Sequence, residues 1–291
     1  DRKLPKEFTD AIESSNASDL ESIIVWSLVL DLTFTDSDSS SDGNSSSFRR
    51  AVTEFLRAND EVLTDFMKKC LELAIPMSED DFKQVCLSPV SDESFDNFRN
   101  SISSGDKSLL AGRAIFLVLL RFPALSRRWF DHSDFDLASV NAIEFFVKKR
   151  ISPQIIEFEL QALQRFKKDL TEQDDFDEDI KMRIRIIGRE IWTVFSFTEV
   201  SMELTLLIPE AFPLLPVNVK GGGDMQISSA KRSHLMMGVT RLLTMKDGTF
   251  AEAISFWQHN LKQVFDGVEE CPICYSVLHL SSSQMPKVAC P

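Results

Sequence analysis

Between Met182 and Ile186 the apolar rhythm of this chain changes, and that change limits the folds open to it. Met182, Ile184 and Ile186 alternate with Arg183 and Arg185. A period of two puts apolar side chains on one face of a pleated strand and charged ones on the other. Upstream, apolar residues recur at three and four instead, as at Val52, Phe55, Leu56, Leu63, Phe66, Met67 and Leu71. That spacing belongs to helices. The chain therefore reads as a helical first part followed by a unit built on a sheet.

Helices are predicted over Ala11 to Leu32, Phe48 to Leu73 (closed by Pro76) and Leu109 to Leu120. The last is apolar almost all round and should be buried. Residues 35–47, nearly all Ser and Asp, have nothing to bury and read as a solvated loop. Ser88 to Asp106 is another polar stretch. Phe122-Pro123-Ala124-Leu125 turns the chain, and Trp129 and Phe130 pack beyond it. Val140 to Leu170 looks helical, interrupted near Ser152-Pro153, where Pro can start a fresh helix. Successive helices without strands fit the paired helices of a solenoid. The sequence has no clean internal period, so an irregular helical bundle fits equally well.

After an acidic turn at Asp169 to Asp179, strands are predicted at Met182 to Ile186, Glu190 to Phe197 and Ser201 to Ile208, with Gly188 breaking the first from the second. Such short spacers favour an antiparallel meander. Pro209 to Pro216 is a proline-stiffened crossing that cannot be a central strand. Val217 to Val219 would be an edge strand and Gly221-Gly222-Gly223 a flexible loop. Helices over Ser229 to Thr244 and Thr249 to Phe265, joined at Asp247-Gly248, complete an α+β layer with helices on one face.

Composition excludes several classes. With 291 residues, 43% apolar and 26% charged, the chain is globular and long enough for two domains. Its net charge of −13 repels phosphates, so nucleic-acid contact would need a local basic patch. Lys148-Lys149-Arg150, Lys181 to Arg189 and Lys231-Arg232 are such patches, each read first as a solvated face. Five cysteines are too few for a secreted disulfide framework. The apolar run Ala114 to Leu120 is too short to span a bilayer, so no membrane partner is expected. No signal peptide is visible, and the chain starts at Asp1 without Met; we expect a piece of a longer cytosolic or nuclear protein.

The chemistry concentrates at Cys271-Pro272-Ile273-Cys274, with Cys290 following. Two thiolates across two residues can share one tetrahedral zinc. A thioredoxin-like redox pair and a chance spacing are the other readings. The preceding Glu269-Glu270 would raise a thiolate pKa and so disfavours the redox reading. From Cys86 to Cys271 there is no cysteine, so the α+β unit has no nucleophile for a thioester. His132, His234, His259 and His279 are scattered, and no Ser/His/Asp set is apparent; no catalytic side chain is assigned.

The order of meander, Phe212-Pro213 crossing and two helices resembles an RWD domain, a relative of ubiquitin-conjugating enzymes, although the usual aromatic there is Tyr. Phe256-Trp257-Gln258 and Asn260, leading through Phe265-Asp266-Gly267-Val268-Glu269-Glu270 into Cys271-Pro272-Ile273-Cys274-Tyr275, are similar to the C-terminal region of the listerin family, RING-type ubiquitin ligases of ribosome-associated quality control. Pro286 to Cys290, Phe122 to Leu125 and Arg128-Trp129-Phe130 fit the same family. The resemblance implies a multidomain chain: HEAT-like helical repeats over 1–136, an RWD domain over 137–267 and the beginning of a RING finger over 268–291. It implies two zinc ions in an intact RING. Cys271 and Cys274 would be ligands of one and Cys290 of the other, with neither site complete here. It implies that Ile273 seats a ubiquitin-conjugating enzyme. The partners it implies are the large ribosomal subunit, a stalled nascent chain and other quality-control factors in the cytosol, with the RWD domain near the exit tunnel. Arg183, Arg185 and Arg189 are the candidate contacts to ribosomal RNA or protein. Such a ligase works by orienting the conjugating enzyme's thioester near a lysine, not by its own acid or base. The alternative is a non-enzymatic docking scaffold.

Overall fold

Residues 9, 12, 20–35, 45–85, 92–172, 180–197, 200–223 and 229–265 are described by the structure, a computed structural model. The chain divides into two units, Asp1–Ile155 and Ile156–Pro291.

The first unit is helical. Its described helices are α1 (Leu20–Thr35), α2 (Ser45–Ala58), α3 (Asp60–Ala74), α4 (Glu79–Val85), α5 (Asp92–Ser104), α6 (Lys107–Arg121), α7 (Pro123–His132) and α8 (Leu137–Phe146). A π-helical turn, Val147–Ile151, follows, and then α9 (Ser152–Glu172), whose residues from Ile156 onward belong to the second unit. Helix α6 is the hub. Every residue from Leu110 to Leu119 is buried, and α1, α3, α4, α5 and α7 all contact it. Its start is fixed by Asp106, whose carboxylate accepts from the backbone N–H groups of Ser108 (3.0 Å) and Leu109 (3.2 Å). Trp26 of α1 stacks on Phe66 of α3 at 4.2 Å between ring centroids.

One charged residue is carried inside with α6. The Arg113 side chain is 5% exposed and donates to the Asp31 carboxylate at 2.8 Å. Burial raises the Asp31 pKa, and the guanidinium partly offsets this. The Arg113 cation also lies over the Phe98 ring at 5.3 Å.

Several sequence expectations are corrected here. The Ser/Asp-rich loop is shorter than 35–47, because Thr35 still belongs to α1 and Ser45 already belongs to α2. The helix predicted over Phe48 to Leu73 breaks at Asn59, which has φ −122° and ψ 57° and whose side-chain amide donates to Phe55 O. The polar stretch Ser88 to Asp106 contains α5. Phe98 on that helix is buried, and one buried aromatic among polar neighbours is a faint signal in composition. Lys148-Lys149-Arg150 is not wholly a wet face: Arg150 donates to Ile75 O at 3.2 Å, at the end of α3.

The second unit is a four-stranded antiparallel meander of β1 (Ile180–Ile187), β2 (Glu190–Phe197), β3 (Val200–Leu207) and β4 (Asn218–Gly223), in the order β1-β2-β3-β4. The helices α10 (Ser229–Met245) and α11 (Phe250–Phe265) follow, giving the expected RWD-like layer. The first hairpin turns at Gly188 and Arg189 between the paired Ile187 and Glu190. Gly188 has φ +59°, the sign that two-residue hairpins need at this position. The register lines Ile184, Thr193, Leu204 and Gly221 across the sheet, with Met182, Phe195 and Met202 beside them. This face is the core. Phe195 meets Trp257 of α11 edge-on, and Phe212 of the proline crossing meets Phe250. The Phe250 N–H donates to the Glu159 carboxylate of α9 at 2.8 Å. Thr249 and Glu252 cap α11 reciprocally, each side chain accepting from the other's backbone N–H.

The triple glycine, expected as a flexible loop, is instead the end of β4. A Cβ on Gly221 would lie 2.5 Å from the sulfur of Met236 on α10, so bare backbone lets the helix settle onto the strand. Gly238 serves the α10–α11 contact in the same way, since a Cβ there would lie 2.7 Å from a ring carbon of Phe256. Alanine usually gains about 1 kcal/mol over glycine inside a helix. Gly238→Ala should instead destabilise the second unit by roughly 1–2 kcal/mol, measured by urea unfolding with local hydrogen exchange. With Phe256→Ala in place, the same change should become neutral or stabilising.

Candidate functional site

The sheet has one face that its own helices do not cover. The period of two places Arg183, Arg185 and Ile187 of β1 there, opposite Val194, Trp192 and Glu190 of β2. Glu203, Thr205 and Leu207 of β3 and Lys220 of β4 continue the same face. Arg183, Arg185, Ile187 and Lys220 are exposed, while Trp192, Val194, Thr205 and Leu207 are half-buried. The Arg185 guanidinium sits 5.5 Å from the centroid of the Trp192 ring. The result is a face on which apolar side chains are mixed with three cations, Arg183, Arg185 and Lys220, and two carboxylates, Glu190 and Glu203, a composition suited to contacting a partner.

Of the arginines predicted from sequence, the fold brings Arg183 and Arg185 together on this face. It does not bring Arg189 to them. Arg189 stands in the hairpin turn, where its guanidinium donates to Pro209 O at 2.8 Å and its carbonyl accepts from the Ile208 N–H at 2.9 Å. These bonds tie the hairpin to the proline crossing. Trp192 was not singled out in the sequence. Its signal was available, since counting back across the Gly188 turn gives it the same parity as Arg185.

The sheet and the two helices after it offer no thiol nucleophile, because no cysteine lies between Cys86 and Cys271. In the first unit Cys70 is buried, and burial pushes its thiol pKa well up, so it is inert. His259 has its pKa lowered by burial and then by nearby Lys262. Among the described residues no group of three or more His, Cys, Asp or Glu could hold a metal ion. The predicted zinc ligands Cys271, Cys274 and Cys290, and Ile273 between the first two, lie outside the described residues. Among the described residues no single helix is long and apolar enough to cross a membrane.

Comparison with known proteins matches both units. A family model described as the LTN1 family HEAT repeat region matches residues 2–164, more than half of the chain. A second, described as ubiquitin conjugating domain-like, matches residues 180–264. The chain is 30% identical over 173 residues to the E3 ubiquitin-protein ligase listerin of Drosophila melanogaster, covering 60% of this chain and 9% of that protein. It is 26% identical over 211 residues to listerin of Saccharomyces cerevisiae, covering 72% of this chain and 13% of the relative. For listerin of Caenorhabditis elegans the identity is 26% over 287 residues, covering 96% of this chain and 18% of the relative. The chain thus spans less than a fifth of the length of these relatives.

Trp26, Trp129 and Trp257 are at most 3% exposed, which makes Trp192 the accessible indole of the described residues. Iodide should quench the fluorescence of Trp192 more strongly than caesium does, because Arg183 and Arg185 gather anions at that face. Replacing both arginines by alanine should remove this preference, and Trp192→Phe should remove the quenchable fraction.

Proposed function

The chain belongs to the LTN1 family, and from that premise we propose that it is the C-terminal part of a RING-type ubiquitin ligase acting on nascent chains of stalled large ribosomal subunits. The observation that carries the reading is a ubiquitin-conjugating-like unit with no cysteine in it. That unit has the layered architecture without the sulfur, so it positions partners and does not carry ubiquitin. The organisation follows as HEAT-like helices over 1–136, the RWD domain over 137–267 and the start of a RING over 268–291.

Three thiols at the tail suit zinc by donor chemistry. Cys271 and Cys274 would hold one ion, and Cys290 would be a ligand of a second. Such ions supply a rigid scaffold with closed coordination. Ile273 then offers an apolar side chain to a ubiquitin-conjugating enzyme, which is held with its thioester near a lysine of the nascent chain. Arg183 and Arg185 provide the contact to ribosomal RNA or protein near the exit tunnel, with Arg189 holding the hairpin that presents them. The protein works in the cytosol, with other quality-control factors.

In the full-length protein, Cys271→Ala should abolish ubiquitin transfer to a stalled nascent chain. Undiminished transfer would leave the non-enzymatic docking scaffold as the better reading. Separately, Arg183→Glu with Arg185→Glu should weaken co-sedimentation with large ribosomal subunits, more so at low salt, because exposed charges are screened as ionic strength rises.

A further inference from the structure

We infer that the outer edge of β1, with the cleft between it and α9, is a docking site for an extended acidic segment of a partner protein. This does not depend on the ligase reading. Strand β1 ends the sheet, and among the described residues nothing pairs with its outer side. The two-residue turn makes Ile187 and Glu190 the closing hydrogen-bonded pair. Hydrogen-bonded and non-hydrogen-bonded pairs alternate, so Ile186, Ile184 and Met182 turn their N–H and C=O groups away from β2. The ammonium of Lys167 on α9 reaches the Ile184 carbonyl at 3.5 Å, on that outer side.

Sheet edges are usually blunted by proline, a bulge, shortness, charged side chains or a covering element. Strand β1 has no proline and runs 8 residues in unbroken register, and its guard is charge: Lys181, Arg183 and Arg185 on the strand and Lys167 from α9. Alongside it lies a cleft of about 420 Å³, floored by Leu163 and Ile184 and flanked by Lys167 and Arg185. Ile186 and Ile187 line it too and are 38% and 68% exposed. No lining residue is acidic, in a chain whose net charge is −13. An added strand would gain a backbone ladder from the edge, apolar contact from the isoleucines and charge pairing from Lys167 and Arg185.

The charges also select the occupant. A second copy of β1 would bring Lys181, Arg183 and Arg185 against their own kind, which opposes self-pairing. A nucleic-acid strand matches the charge but has no amides to continue the ladder. An acidic peptide in strand conformation satisfies both.

The test uses the 291-residue chain and a fluorescein-labelled peptide of about eight residues, the length of β1, alternating valine and glutamate. Fluorescence anisotropy should show saturable binding. Affinity should fall about tenfold or more when the glutamates become lysines, when alternate peptide amides are N-methylated, or when Lys167 is changed to Glu. Ile186→Pro, which removes an outward N–H, should do the same in protein whose far-ultraviolet circular dichroism is unchanged. Lys167→Glu alters an exposed side chain and keeps the test decisive should Ile186→Pro unfold β1. No binding of the glutamate peptide, equal binding of the N-methylated peptide, indifference to Lys167→Glu, or displacement by an oligouridylate would each overturn the proposal. Arg185 lines the cleft as well as the open face, so Arg183→Glu alone, which leaves every cleft residue in place, separates the two: lost ribosome binding with intact peptide binding bears on the proposed function and not on this site.

Discussion

Helix α6 is buried on every side, and the ion pair between its Arg113 and Asp31 of α1 makes that burial tolerable. An unpaired guanidinium in that position would cost several kcal/mol. The apolar residues of α6 favour burial but are indifferent to rotation, because almost any orientation hides a helix that is apolar all round. The charge is not indifferent. Arg113 must face Asp31, which fixes the rotation of α6 and the height of α1 against it. Arg121 repeats the device at the far end by donating to Thr33 O, and Arg49 of α2 closes on Arg121 O at 2.9 Å. In this unit the hydrophobic effect supplies the stability, and a few arginines supply the register.

In the second unit the same division of labour falls to glycine. The sheet is specified by alternation, and one face is filled by Ile184, Ile191, Phe195, Met202, Leu204 and Leu206. Where α10 and α11 close on that layer and on each other, side chains must be absent as well as present. Gly221 makes room for Met236 and Gly238 for Phe256. Gly248 does the same for Leu242, beside the left-handed Asp247 that starts the approach to α11. A methyl group at Gly238 would meet the stiff Phe256 ring and force α10 and α11 apart, whereas one at Gly221 would meet the flexible end of Met236, which can turn aside.

Much of this could be read from the sequence wherever one periodicity dominated. The β2 boundaries, the hairpin at Gly188, the two final helices and the buried α6 all came from spacing and turn chemistry. The misses have physical causes. Helix α5 hides because its polar residues outnumber the positions it buries. The break at Asn59 is invisible to a spacing count that continues in phase on both sides. The strand through Gly221 to Gly223 contradicts local propensity, and only the Met236 side chain across the interface explains it. Sequence proximity to Arg185 does not show that Arg189 belongs to the hairpin turn, where its guanidinium is committed to Pro209 O. The metal-binding reading came from cysteine spacing and family likeness alone, and those cysteines lie outside the described residues.

No cysteine lies within residues 180–264, the stretch that matches the ubiquitin conjugating domain-like model. A thioester cannot form there, so what this stretch offers to other molecules is its surfaces. Two surfaces of its sheet are available, the open face around Trp192, which carries charges of both signs, and the outer edge of β1, whose cleft is lined by Lys167 and Arg185 and by no carboxylate within an acidic chain. The acidic remainder is not wasted in this respect. Long-range repulsion from a net charge of −13 lowers the rate at which polyanions meet the protein at random. At 0.1 M salt charges beyond about 10 Å are largely screened, so a partner that reaches the cleft meets its lining cations Lys167 and Arg185 first. A partner presenting negative charge must therefore match the basic strip closely to gain from it, which makes shape and strand geometry part of its selection. Charge of opposite sign on the whole and on the cleft thus trades affinity for specificity.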